Sequence, residues 1–143
     1  MIKFTVQGNP VAKGRPKFSS QGGFVRSYTP AKTINYENLV KLSYQTQVGQ
    51  QKLEGMIYAE ILAYFPIPKS TSKKNAELMR NGEIMHTKRC DCDNLAKSIL
   101  DALNGIAYDD DSQVCSLLVH KYYGDVPRVE IELGEIRDGE IFG

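Results

Sequence analysis

Apolar and polar residues alternate from the first positions of the chain: Ile2, Phe4 and Val6 share one parity, Lys3, Thr5 and Gln7 the other. That period of two predicts a strand with one buried side, ended by Gly8-Asn9-Pro10. Between Leu53 and Phe65 the pattern becomes almost continuously apolar, which predicts a central strand stopped by Pro66 and Pro68. Val114–Tyr123 and Arg128–Leu133 read as two further strands joined by Gly124-Asp125-Val126-Pro127. In the second, Val129, Ile131 and Leu133 alternate with Arg128, Glu130 and Glu132, so one face is wet.

Three segments carry helical spacing. Thr29 as N-cap and Pro30 at the first helical position open a helix reaching Val48 and stopped by Gly49, with Ile34, Leu39, Leu42 and Val48 as its loose apolar stripe and Tyr36 and Tyr44 nearby. Lys69–Gly82 gives a short surface helix, capped by Ser70 or Ser72, with Ala76, Leu78 and Met79 as a weak apolar face. A third helix begins at Asp93 or Asn94, runs to Leu103 and stops at Asn104-Gly105. At about 100° per residue its Leu95, Ala96, Ile99, Leu100, Ala102 and Leu103 fill one arc. Asp93, Lys97 and Asp101 form a row opposite. The expected architecture is α+β: one domain over residues 1–143, a mixed sheet packed on two to three helices, and a polar tail from about residue 134.

Composition narrows the classes. No apolar run approaches the roughly 20 residues of a membrane span, and the opening strand pattern is not that of a signal peptide, so the expected compartment is cytoplasmic. Three cysteines, two of them at Cys90 and Cys92, do not build a disulfide framework. The net charge of +1 conceals a polarity. Residues 1–50 hold seven basic side chains against one acidic, whereas residues 91–143 hold four against twelve. A polyanion partner beside a cation-binding cluster fits that division; a fold interleaving the two halves would cancel it.

The acidic cluster has the chemistry of a metal site. Asp91 and Asp93 stand at the start of the third helix, and Asp109, Asp110 and Asp111 follow its end. Gathered carboxylates repel, and a divalent cation relieves that cost. Oxygen-only donors select magnesium, with manganese as a substitute, over zinc. An EF-hand would need Gly where Val114 stands and Glu where His120 stands. The Cys-x-Cys spacing departs from that of zinc sites. Lys97, one turn from Asp93, is placed to stabilise charge developing on a phosphoryl group. Val11–Arg26 reads as a basic hairpin turning at Gly22-Gly23, with Lys13, Arg15, Lys17 and Arg26 as phosphate contacts. Phe18 and Phe24 either stack on a base or pack on the core. Lys88 and Arg89 extend the basic approach into the acidic stretch.

These residues carry a resemblance. Asp91-x-Asp93-Asn94-Leu95-x-Lys97, Asp101-Ala102-Leu103-Asn104 and Asp110-Asp111-Ser112-Gln113-Val114 resemble the signature of the RusA family of Holliday junction resolvases. Lys13–Phe18 and Gly22–Pro30 are similar to its Gram-positive and phage branches. The resemblance implies a homodimeric, magnesium-dependent endonuclease that resolves four-way DNA junctions by paired nicks and needs no small-molecule cofactor. Carried over, the functional set is Asp91, Asp93, Asp111 and Lys97. Three consecutive aspartates leave Asp110 or Asp111 as the third metal ligand, while Asp101 is assigned to the helix surface and Asp109 to a bystander role. Two rivals stay open: a metal nuclease acting on flaps or forks, and a DNA-binding protein without catalysis.

Overall fold

The computed structural model describes residues 1–137 except 15, 16, 20–22, 24 and 29, and for residues 17, 19 and 26 the backbone alone. Six strands and three helices follow in the order β1 (Ile2–Gln7), β2 (Lys17–Ser19), β3 (Arg26–Tyr28), α1 (Ala31–Gln47), β4 (Ile57–Pro66), α2 (Lys73–Arg80), α3 (Cys92–Ala102), β5 (Val114–Gly124) and β6 (Arg128–Glu135). Four strands form a mixed sheet in the order β1-β6-β4-β5, and β2 pairs with β3 as a separate antiparallel ribbon. Only β4 and β5 run parallel, so the chain between them must cross over, and α2 and α3 are that crossover. The α+β expectation holds, with β4 central as its apolar run implied.

Alternation decides which side of the sheet is dry. Ile2, Phe4 and Val6 of β1, Ile57, Ala59, Ile61, Ala63 and Phe65 of β4, and Val129, Ile131 and Leu133 of β6 are all buried. They form one core with Tyr36, Val40 and Tyr44 of α1 and Leu95, Ile99 and Leu103 of α3. The face of α1 differs from expectation. Ile34, Leu39 and Leu42 are exposed, and the buried stripe is Thr33, Tyr36, Val40 and Tyr44. These positions fall at i, i+3, i+7 and i+11, a clean helical face whose tyrosines carry large apolar bodies. Tyr44 sets its ring edge-on to Phe4, with centroids 5.2 Å apart, and its hydroxyl donates to the carbonyl of Gln51. Burial of the polar tip is thereby compensated.

The helix starts also shift. Pro30 occupies the N-cap position of α1 rather than its first turn, and its carbonyl accepts from the amides of Thr33 and Ile34. Thr29 lies outside the described residues. Ser72 caps α2 as expected, accepting from the amide of Asn75 at 3.2 Å. β5 and β6 are joined by Gly124–Pro127 but are not neighbours, because the turn carries the chain past the end of β4. The guanidinium of Arg80 lies 3.0 Å from Asp125 in this turn, and that of Arg128 covers the ring of Tyr64 at 3.9 Å. Such pairs between distant residues leave no local trace in the pattern.

Gly134 of β6 lies directly under the ring of Tyr58, where an added Cβ would come within 2.5 Å of the ring atoms. Gly134→Ala should therefore displace Tyr58 and cost about 1–3 kcal/mol, the usual scale of overpacking. In urea unfolding the midpoint should fall while the slope stays constant.

Candidate active site on helix α3

The N-cap of α3 falls two or three residues earlier than Asp93 or Asn94, the positions its sequence suggests. Asp91 holds the N-cap position in an extended conformation, and its carbonyl accepts from the amide of Leu95 at 2.9 Å. The Asp91 side chain makes no capping hydrogen bond and is exposed, as is Asp93 in the first turn. Both sit where the helix end favours negative charge. The apolar arc from Leu95 to Leu103 is buried as expected, and this turns Asp93 and Lys97 outward. Ser98, buried on the flank of that arc, places its hydroxyl 2.8 Å from the carbonyl oxygens of Val11 and Leu95. The amide of Lys13 donates to the carbonyl of Asn94 at 2.9 Å. The segment Val11–Gly14 is thus strapped along α3. Gly14 is required there, since its amide donates to the Thr33 hydroxyl and an added Cβ would meet that oxygen at 2.8 Å.

The loop after α3 separates the three consecutive aspartates by environment. Gly105 takes φ +75°, a conformation suited to glycine, and lets the chain reverse beyond the helix end. Tyr108 is buried and donates from its hydroxyl to the carbonyl of Leu100 at 2.6 Å. Asp109 pairs with Lys52 at 2.5 Å. Asp110 caps a 3-10 turn over Asp111–Gln113, accepting from the amide of Ser112 at 3.0 Å. Gln113 completes the capping box and donates to the carbonyl of Gly55. Asp111, whose amide donates to the side chain of Asn104 at 2.8 Å, turns back toward α3 and shares a hydrogen bond with Asp101.

The titrations follow from these contacts. Hydrogen bonds from Ser112 hold the exposed Asp110 below its ordinary range. Asp111 is pushed up, first by its hydrogen bond with Asp101, then by partial burial and by the charges of Asp101 and Asp110, against a smaller opposing pull from Lys97. Burial holds the Tyr108 hydroxyl far above its usual range, reinforced by Asp111, Asp101 and Asp110.

Two expectations change here. Asp101, assigned to the helix surface, is partly buried and faces Asp111. Lys13 is not a free phosphate contact: its ammonium lies 3.0 Å from Glu37 and 3.5 Å from Asp101, with a quarter of the side chain exposed. Burial alone would lower the pKa of Lys13, but Glu37 and Asp101 together outweigh it and raise it. Asp91 and Asp93 stand at one end of the helical row and Asp101 with Asp111 at the other, about 12 Å along the axis between residues 93 and 101 at 1.5 Å per residue. Lys97 is halfway. Among the described residues, no three His, Cys, Asp or Glu side chains group closely enough to hold a metal ion. The donors at both ends are carboxylate oxygens, and the facing pair Asp101–Asp111 is the kind of charge concentration a hard cation relieves.

Of the expected DNA contacts, Lys88 and Arg89 are exposed and border a groove of about 580 Å³ next to the start of α3, joined there by Lys32, which the sequence pattern did not single out. Arg15 and Phe24 lie outside the described residues, as do the side chains of Lys17 and Arg26. The ribbon of β2 and β3 projects Phe18, 72% exposed, and Tyr28, so Phe18 does not pack on the core.

Because the folded chain raises the Asp111 pKa, it binds protons that the unfolded chain releases as pH rises through the ordinary carboxylate range, and stability falls accordingly. Metal-free Asp111→Asn should therefore be more stable than the wild type at neutral pH. The difference should shrink as pH drops through the raised Asp111 pKa and vanish below the ordinary carboxylate range. Thermal melts across an acid-to-neutral series would measure it.

Comparison with known proteins gives the family. The chain is 40% identical over 137 residues to the uncharacterized protein YqaN of Bacillus subtilis (strain 168), an alignment covering 94% of this chain and 96% of that protein. Among the described residues no helix is long and apolar enough to cross a membrane. The family model Endodeoxyribonuclease RusA matches residues 7–134, nearly the whole folded part, so the chain belongs to the RusA endodeoxyribonuclease family.

Proposed function

We propose that this protein is a magnesium-dependent endonuclease that resolves four-way DNA junctions, acting as a homodimer that makes paired nicks. The observation that carries this reading is the return of Asp111 from the following loop onto the carboxylate–lysine row of α3 that Asp91 and Asp93 begin. Asp91, Asp93 and Asp111 would hold the metal, with manganese as a substitute, which requires the Asp111 end of the row to close on the Asp91–Asp93 end, while Asp110 serves as the turn cap that aims Asp111. A bound ion would polarise the scissile phosphate and activate a water as nucleophile. Lys97 orients the phosphate and stabilises the charge that builds on its oxygens. Lys13, anchored on Glu37, orders Asp101 directly from behind. Lys32, Lys88 and Arg89 hold the strand entering the site, and the β2–β3 ribbon presents Phe18 and Tyr28 to the DNA.

A second copy supplies the second nick, since a two-fold dimer matches the symmetry of a four-way junction. The eleven-residue β5 lies at the outer edge of the sheet, where, among the described residues, the His86 amide covers only the Lys121 carbonyl, and Leu117 and Leu118 further toward its start are both more than 40% exposed; an edge of this kind invites pairing with a partner strand. Pairing of two β5 edges would cover these leucines.

Asp91→Asn and Asp111→Asn should bind a synthetic junction normally and lose cleavage with magnesium by about 100-fold or more, the scale of removing one preorganised charge-stabilising group. Normal cleavage by either would refute the metal assignment. Lys97→Ala should lower kcat far more than it raises KM. Parallel assays on a flap, a fork and linear duplex test the preference for junctions, and equal rates on all would refute it. Leu117→Lys should shift the protein toward monomer in light scattering and convert paired cuts into single nicks; an unchanged dimer would place the interface elsewhere.

A further inference from the structure

The groove beside the start of α3 has a composition that metal and phosphate binding do not require. It opens at the carboxyl ends of the parallel strands β4 and β5, between Phe65 and Tyr123 on one side and the strapped segment Val11–Gly14 on the other. Prolines 10, 66 and 68 supply rigid apolar wall without amide donors. The ring of His86 lies parallel to Phe65, with centroids 3.7 Å apart and planes 9° from coincidence, and edge-on to Tyr123 at 5.2 Å. Its backbone is fixed by donation to the carbonyl of Lys121 at 3.0 Å. Phe65 and Tyr123 are buried, so His86, half-buried, forms the accessible layer of this stack. Its Nδ1 is enclosed with no hydrogen-bond partner, a feature that calls for an explanation in a folded protein.

We infer that this groove receives one unstacked base of the DNA strand next to the cleaved phosphate, with His86 as the stacking platform; the assignment rests on the endonuclease reading above. Three features select a nucleotide. Lys32, Lys88 and Arg89 stand in the lining without any carboxylate, which favours a polyanion. The rigid aromatic stack offers a π-face, which every base can use irrespective of its identity. A volume of about 580 Å³ lies within the range of small-ligand pockets and accommodates a base with its sugar. Burial, with the nearby charges of Lys121 and Lys88, lowers the His86 pKa and keeps the ring neutral, suited to stacking rather than ion pairing. Location links the pocket to catalysis, since Arg89 and Cys90 form part of its wall and the next residue is Asp91. Extruding a base costs least where pairing is already interrupted, as at a branch point.

The test uses the full chain with His86→Ala and His86→Phe, the latter keeping a stacking ring. A four-way junction carries either 2-aminopurine or an abasic sugar, placed in turn at each nucleotide flanking the branch point. Binding is read by fluorescence without metal, and cleavage with magnesium. At one position the 2-aminopurine signal should change on binding wild type and His86→Phe but not His86→Ala. The abasic sugar there should slow wild type and His86→Phe by about ten-fold, the lower range of a lost base stack, and leave His86→Ala unaffected. An equal abasic effect on wild type and His86→Ala, or an equal fluorescence change, would overturn the pocket. A wild type that cleaves no junction refutes the endonuclease reading instead, and the fluorescence comparison then decides the pocket alone.

Discussion

Two carboxylates face each other across the end of α3, and the site is built around keeping them there. Asp101 is carried by the helix and Asp111 by the loop that follows it, so neither can leave without unwinding a packed element. Their repulsion is offset from two sides. Lys97 approaches from the next helical turn, and Lys13 reaches Asp101 from the strap with Glu37 of α1 behind it. A hydrogen bond between the two carboxyl groups supplies the rest, at the expense of a raised Asp111 pKa. A group of carboxylates restrained in this way is preorganised for a cation, because the electrostatic strain that binding releases is already present in the fold.

The local devices that impose this geometry are modest and independent. Asp109, Asp110 and Asp111 are chemically identical and adjacent in sequence, yet one pairs with Lys52, one caps a turn and one faces the helix. The difference comes from Gly105, which permits the reversal, from Asn104, which fixes the Asp111 amide, and from Gln113, which closes the capping box and ties the turn to Gly55. Most of the energy lies elsewhere, in the aliphatic arc of α3 against α1 and the sheet. Because that arc fixes the rotation of the helix, it also fixes which way Asp93, Lys97 and Asp101 point.

Much of this was legible in the residues. Strict alternation identified the buried faces of β1 and β6, the continuous apolar run identified β4 as central, and the arc of α3 was read residue by residue. The failures have a common physical origin. The buried face of α1 was sought among aliphatic residues, whereas Tyr36 and Tyr44 fill it with larger apolar bodies and, for Tyr44, a satisfied hydroxyl; the i, i+3, i+7, i+11 spacing was the available signal. The ion pair of Lys13 with Asp101 spans 88 positions, and no periodicity reports such a contact. The passage from β5 past β4 into β6 was hidden for the same reason. The resemblance singles out Asp91, Asp93 and Asp111 as candidates, but the way Asp101 and Asp111 oppose each other emerges only when loop and helix are placed together.

The charge polarity of the sequence also acquires a spatial meaning. Lys13 does not belong to the DNA-facing charge, since it is spent inside the protein on Glu37 and Asp101. Lys32, Lys88 and Arg89 lie instead around one groove, brought from the start of α1 and from the approach to α3. The basic and acidic parts of the chain are partly interleaved, with Lys3 paired to Glu132, Lys13 to Asp101 and Lys52 to Asp109, but beside α3 the cationic groove ends where the carboxylate row begins, with Arg89 and Asp91 only two residues apart. On the proposed reading, a phosphodiester backbone drawn along these cations would reach the carboxylates without further guidance. The field that attracts the strand and the donors that would hold the metal are parts of one continuous surface, and α3 carries the boundary between them.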